Sequence, residues 1–416
     1  MKDRRKLIGN IMSLFTLQGA NYILPLITLP YLVRVLGPER LGLIAFSQAF
    51  IQYFVVITDY GFNLSATRDI SKNKNKKEAI NEITSAVIVI KSSFCIIGII
   101  AILLITTFIE SFHKNQTLYI VVYMTVIGST AFPLWLFQGL QRMKQITILT
   151  IIARIITTAS IFIFIRDKND YIYAAFIQSS TMMIAAIPAW FLILKENNHA
   201  IIIPKFKAIR EQLKYGWHIF ISTSAINIYT NSNIFVLGLT TSPDLVAYYS
   251  VANKIIGAIL GLFQPIITGL YPHVSTLTTQ SKSLAKSFTK KISPYFLLFG
   301  ATLSVITYLF SPSIINIVAG NKYYSSIDIL KALSPLPLLI AIGLMYGALT
   351  MLPFGMEKPF SRITIMGAII DISSIYPLTH YYAANGAAIA NVLTEVFIST
   401  AMIIYISKQH KKRRIL

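Results

Sequence analysis

The sequence predicts an all-α integral membrane protein with twelve transmembrane helices in two six-helix lobes related by internal duplication. Three observations carry that reading. Of 416 residues, 55% are apolar and only 13% are charged, about half the charged share of a soluble domain. The mean hydropathy is +0.63, and a soluble fold of this size would lack the polar residues to cover its surface. Finally, apolar runs near the ~20 residues that cross the hydrocarbon core recur along the whole chain.

The first six runs are 11–33, 41–63, 83–107, 117–138, 147–165 and 171–194, and the second six are 215–238, 245–270, 293–318, 329–352, 361–381 and 384–406. The basic start, Lys2 to Lys6, does not make the first run a signal peptide. That run is too long, contains Pro25 and Pro30, and lacks a small-residue cleavage site. Its paired prolines free backbone carbonyls and make it the candidate for a bending gate. Alternate connections hold 27 Lys and Arg residues on one side against 7 on the other. Basic residues retain loops in the cytoplasm, so both termini are expected there. The same bias accounts for the net charge of +21 without a nucleic-acid partner.

Duplication rests on three paired segments. Pro38-Glu39-Arg40-Leu41-Gly42 opens the second run and Pro243-Asp244-Leu245-Val246-Ala247 opens the eighth. Gly139-Leu140-Gln141-Arg142 closes the fourth and Gly355-Met356-Glu357-Lys358 the tenth. Ala174 to Gln178 and Ala387 to Asn391 lie early in the sixth and twelfth. The offsets are 205, 216 and 213 residues, near half the chain. The expected lobes are residues 1–205 and 206–416, the second ending in a basic cytoplasmic tail. Parallel halves of this kind are a transporter architecture.

Polar groups at membrane depth usually face protein or a water-filled cavity. Lys91 lies eight residues into the third run, Arg154 seven into the fifth and Lys254 nine into the eighth. At 1.5 Å per residue the first two are roughly 10–12 Å deep, and snorkelling to the headgroups is their alternative reading. Asp371 and Glu395 lie in the last two runs, where they are coupling candidates or a buried neutralising pair for Lys254. The seventh run reads HIFISTSAINIYTNSN from His218 to Asn233. Asn227 and Asn231, one turn apart, either face a hydrated lumen or join helices by hydrogen bonds. Arg34 near the outer surface, and Asp59 and Arg68 at the inner end of the second run, read by charge alone as interfacial anchors.

Catalytic signatures are missing. No phosphate-binding G-x-x-x-x-G-K-[ST] or zinc-binding H-E-x-x-H segment occurs, the six histidines are scattered, and Cys95 is the single cysteine. The outer loops are short. The expectation is a carrier of anionic substrates rather than an enzyme, with no cofactor and no metal.

The chain resembles the O-antigen and polysaccharide repeat-unit flippases, the Wzx type of the multidrug/oligosaccharidyl-lipid/polysaccharide exporter superfamily. The resemblance is carried by NYILPLITLPYLVRVLGPERLG from Asn21, TDYGFNLSATR from Thr58 and FPLWLFQGLQRMK from Phe132. FQPIITGLYPHVS from Phe263 and NGAAIANVLTEV from Asn385 add to it. It implies transfer of undecaprenyl-pyrophosphate-linked oligosaccharide from the cytoplasmic to the periplasmic leaflet of the bacterial inner membrane, by alternating access. It further implies membrane lipid, the O-antigen polymerase and the chain-length regulator as partners. On that basis Lys91, Arg154 and Lys254 are candidates to hold the pyrophosphate, and Asn227 and Asn231 to meet sugars. Arg34, Asp59 and Arg68 become candidate gate or site residues, while Asp371 and Glu395 are candidates to carry a coupling proton. A flippase for capsule or exopolysaccharide units shares these features. A multidrug antiporter would need acids deep in the first six runs, and a pathway enzyme would need catalytic outer loops.

Overall fold

The computed structural model describes residues 2–197 and 200–412, and every regular element among the described residues is helical. The end of the expected basic tail, residues 413–416, lies outside them. Among the described residues, nine helical runs have the length and apolar character to cross a membrane. Two of them extend over more than one expected crossing: Leu24–Lys72 holds the end of the first and all of the second, and Glu357–Gln409 holds the last two.

In the first, the helix Lys2–Asp59 departs from helical angles at Gly37 (φ 72°, ψ 175°). Glycine adopts this conformation without steric cost. The break at Gly37 falls between the first two expected runs, while Pro25 and Pro30, the candidate bending gate, lie within the first. Near those prolines the Thr28 hydroxyl donates to the Pro25 carbonyl at 3.1 Å, the kind of side-chain partner that lets a membrane helix carry proline. In the second run, Glu357–Lys412 breaks at Ala383 (φ 49°, ψ −128°). Gly386 then passes so close to the Leu378 carbonyl that a Cβ would overlap it.

The expected seventh crossing lies in the 35-residue helix Phe206–Thr240, which is not among the nine because its Ser, Thr and Asn residues lower its hydropathy. The fourth, expected as one helix, is three: Gln116–Val122, Met124–Ala131 and Leu134–Gly139. Pro133 has no N–H to continue the ladder, and Phe132 before it is extended. The tenth is likewise divided into Ser326–Leu333, Leu336–Gly343 and a π-helical turn, Leu344–Met351. The eighth breaks at Leu262, then continues from Phe263 to Gln280.

One turn recurs. Gln141 (φ 59°) follows Leu134–Gly139, and the Arg142 N–H donates to the Phe137 carbonyl at 2.9 Å. Gly355 (φ 76°) follows the π-helical turn, and the Met356 N–H donates to the Met351 carbonyl at 2.9 Å. Both are left-handed helix ends of the same type, 214 residues apart.

The chain forms two compact units, Met1–Leu36 with Ile44–Ile228, and Gly37–Leu43 with Tyr229–Leu416. The first is built around Trp135, Phe137, Phe62 and Ile70. The second is built around Phe263, Phe296, Met345 and Leu349. In the second, a Cβ on Gly300 would lie 2.7 Å from the Ala341 Cβ, the close backbone approach that small residues permit between membrane helices. Gly42 packs directly against the Pro243 carbonyl in the same unit.

Candidate functional site

Within the first unit, Lys91 is 2% exposed. Its ammonium donates to Asp59 Oδ1 at 2.8 Å and to the Ser129 carbonyl at 2.9 Å. Asp59 is the last residue of its helix, and its other oxygen accepts from Asn63 Nδ2 at 3.3 Å. The turn that follows holds Tyr60 (φ 43°) and Gly61 (φ 74°), both left-handed. A Cβ on Gly61 would lie 2.7 Å from Ile219 Cγ2. Tyr60 stacks on Phe220 with centroids 4.8 Å apart and an interplanar angle of 16°. The N-terminal part of the helix Phe206–Thr240 is thereby held against this turn. Lys91 is thus an ion-paired, buried cation whose more accessible member is the carboxylate.

Arg154 differs. Its guanidinium Nε is buried on the helix Met143–Phe164 and has no hydrogen-bond partner among the described residues. No acid pairs with it among them. Arg68 is half-exposed and turns to Asp69 at 3.2 Å, and Asp69 also accepts from Gln212 Nε2 at 3.3 Å. Arg34 is exposed, three residues before Gly37, and engages neighbours of its own. Asn227 donates to the Thr223 carbonyl at 2.9 Å.

In the second unit Asp371 is 1% exposed. It accepts from the Ser232 hydroxyl at 2.9 Å and from the Thr394 hydroxyl at 3.3 Å. Asn233, also buried, has an Oδ1 without a partner among the described residues. Glu395 follows Thr394, is half-buried, and lies close enough to Asp371 for their charges to repel. Lys254 is exposed and makes no ion pair among the described residues. Of the two readings for Asp371 and Glu395, an ion pair with Lys254 is not formed among the described residues; at membrane depth Lys91 pairs with Asp59. Asn231 donates to the Thr230 hydroxyl at 3.4 Å, while the His218 side chain lies outside the described residues. Outside the spans, burial pushes the Tyr323 phenol up, so it stays neutral.

The residues that complete these arrangements were hidden in the sequence. Asn63 lies within TDYGFNLSATR, Ser232 within the polar seventh run and Thr394 beside Glu395, but only contact gives them roles. A cavity of about 430 Å³ beside Thr157, Phe164, Tyr173 and Phe176 holds none of the expected site residues. No cluster of three metal-ligating side chains forms among the described residues. Among the described residues, Arg154 in the first unit and Lys254 in the second have no ion-pair partner, and the second unit holds a buried carboxylate, Asp371, cradled by hydroxyls. Such groups can hold an anion and exchange a proton.

The "Polysaccharide biosynthesis protein" family matches residues 7–278. A "Putative O-antigen transporter" of Escherichia coli (strain K12) is 34% identical over 404 residues, 97% of each chain. A protein of the same description from Shigella dysenteriae is 32% identical, over 95% of this chain and 98% of its own. The fold matches the lipid II flippase MurJ in an inward closed conformation, with a TM-score of 0.74 and 14% identity over 96% of this chain and 87% of that one. It also matches an inward-facing multidrug resistance MATE family transporter of the MOP superfamily, with a TM-score of 0.70 and 16% identity over 92% of each. With a family match across more than half of its length and full-length relatives above 30% identity, the chain belongs to the polysaccharide biosynthesis protein family, together with these two putative O-antigen transporters.

Proposed function

We propose that this protein is a flippase that carries undecaprenyl-pyrophosphate-linked O-antigen repeat units from the cytoplasmic to the periplasmic leaflet of the inner membrane. The observation that carries the proposal is Arg154, a guanidinium at membrane depth whose buried Nε has no hydrogen-bond partner and which makes no ion pair among the described residues. An uncompensated charge in hydrocarbon is costly, and a pyrophosphate supplies the missing counter-charge with geometry that suits the guanidinium fork. Lys254, without an ion pair among the described residues, is the matching point charge in the second unit. Lys91 contributes field rather than contact, because Asp59 holds it. Asn227 and Asn231 meet sugar hydroxyls, and Arg34 and Arg68 attract the headgroup at the two surfaces.

The working architecture is twelve crossings in two lobes, residues 1–205 and 206–416, with both termini cytoplasmic. The paired left-handed turns at Gln141 and Gly355 support the duplication. The positions of Gly37 and Ala383, each between two expected crossings, support the count. Alternating access exposes the site to each leaflet in turn, with Glu395 or Asp371 taking up the coupling proton. The O-antigen polymerase and chain-length regulator act on the delivered units.

Deletion of the gene tests the proposal through two readouts, the surface polysaccharide ladder and the leaflet that holds the single repeats. Loss of the ladder with repeats trapped on the cytoplasmic side is expected. Single repeats that reach the outside but never polymerise would make the protein an enzyme of the pathway, and a normal ladder would overturn both readings.

A further inference from the structure

Between the helix Thr181–Asn197 and the helix Phe206–Thr240, residues 200–205 have no regular secondary structure. Their apolar side chains are turned outward. Ile203 is 96% exposed, Phe206 79%, Ile201 57% and Ile202 43%. One hydrogen bond fixes the depth of this strip: the Ile202 N–H donates to Ser85 Oγ at 2.9 Å. Ser85 is itself buried, two residues beyond the expected inner start of the third span. The strip therefore lies at the inner hydrocarbon boundary. Immediately beside it Lys205, Lys207 and Arg210 are all exposed.

We propose that the Ile201–Phe206 strip docks on the anionic phospholipid surface of the cytoplasmic leaflet. Its isoleucines and Phe206 enter the acyl boundary, and Lys205, Lys207 and Arg210 pair with lipid phosphates. Charge decides the occupant. An apolar strip rimmed by cations at headgroup depth complements acidic lipid, and a juxtamembrane Lys or Arg is attracted by about 1 kcal/mol. A protein partner would have to enter a region that the bilayer already fills. The strip leads directly into the seventh helix, so docking fixes the depth of that helix's inner end. This inference rests on the orientation read from Lys and Arg and is independent of what is transported.

The test uses the full chain with Cys95→Ala and Ile203→Cys, labelled with an environment-sensitive fluorophore. It is reconstituted in phosphatidylcholine vesicles with or without phosphatidylglycerol, and Lys74→Cys in the exposed inner loop serves as a water-facing control. Blue-shifted emission quenched by shallow brominated lipid is expected at position 203, stronger with phosphatidylglycerol and weakened by salt. Replacing Lys205 or Lys207 with Gln should reduce the phosphatidylglycerol preference roughly fivefold each. Water-like emission at position 203 in both vesicles overturns the proposal. So does quenching indifferent to phosphatidylglycerol, or a blue shift without lipid quenching, which would mark a protein partner or a second copy.

Discussion

Lys91 Nζ and Asp59 Oδ1 lie 2.8 Å apart, joining two helices of the first unit at a point where the chain turns through two left-handed residues. The lysine is 2% exposed and its partner 29%. The pair therefore neutralises one membrane-embedded cation while keeping its acidic face more open than its basic one. That asymmetry separates Lys91 from Arg154 and Lys254, the other two cations expected at depth.

Removing one member of this pair is costly because the other charge stays behind. Asp59→Ala is expected to destabilise the protein by roughly 3 kcal/mol at most, given the partial exposure of Asp59. Lys91→Met combined with Asp59→Leu should recover most of that loss, since apolar replacement of both partners is often close to neutral. Thermal unfolding in detergent reads both variants. Equal stability of Asp59→Ala and the parent would mean the ion pair contributes nothing.

Arg154→Ala and Lys254→Ala are each expected to depress export while leaving membrane levels normal. A charge-assisted hydrogen bond contributes about 1.5–3 kcal/mol, so the drop should be roughly 10- to 100-fold for Arg154→Ala. Arg154→Lys keeps the charge but not the fork, and should fall between the parent and the alanine variant. The surface polysaccharide ladder provides the readout. Full activity in both alanine variants would remove the cationic site.

Glu395→Gln should flatten the pH dependence of transport, because the amide cannot exchange a proton. Asp371→Asn is expected to act more severely, since it also disturbs the hydroxyls of Ser232 and Thr394 that donate to the carboxylate. Initial rates of repeat-unit transfer into vesicles across a pH series decide this. An unchanged profile for Glu395→Gln excludes that residue from coupling.

A reactive cysteine at Ser242 tests the orientation. The residue is exposed at the start of the helix Pro243–Gly261, on the side with few Lys and Arg. It should react with an impermeant reagent in intact spheroplasts. Reaction only after permeabilisation would invert the topology.

The membrane class and the identity of the embedded charges were legible in the chain itself, and the Lys and Arg bias supplied an orientation that the Ser242 cysteine tests. Hydropathy and the Lys and Arg bias are sums over local residues and need no packing to be read. Proline placement was only half informative. Pro133 interrupts its helix, whereas Pro25 and Pro30 sit inside a continuous one and the turn to the next run comes at Gly37. Pairing was not legible at all. Lys91 and Asp59 are 32 residues apart and Asp371 and Ser232 are 139 apart, on helices whose faces meet only after folding. The sequence offered Asp371 and Glu395 as partners for Lys254 and read Asp59 by charge alone as an interfacial anchor. An apolar environment makes an unpaired charge expensive but does not say which neighbour relieves it. Tertiary structure made that choice, because a hydrogen bond requires two atoms within about 3 Å, and only packing sets that distance.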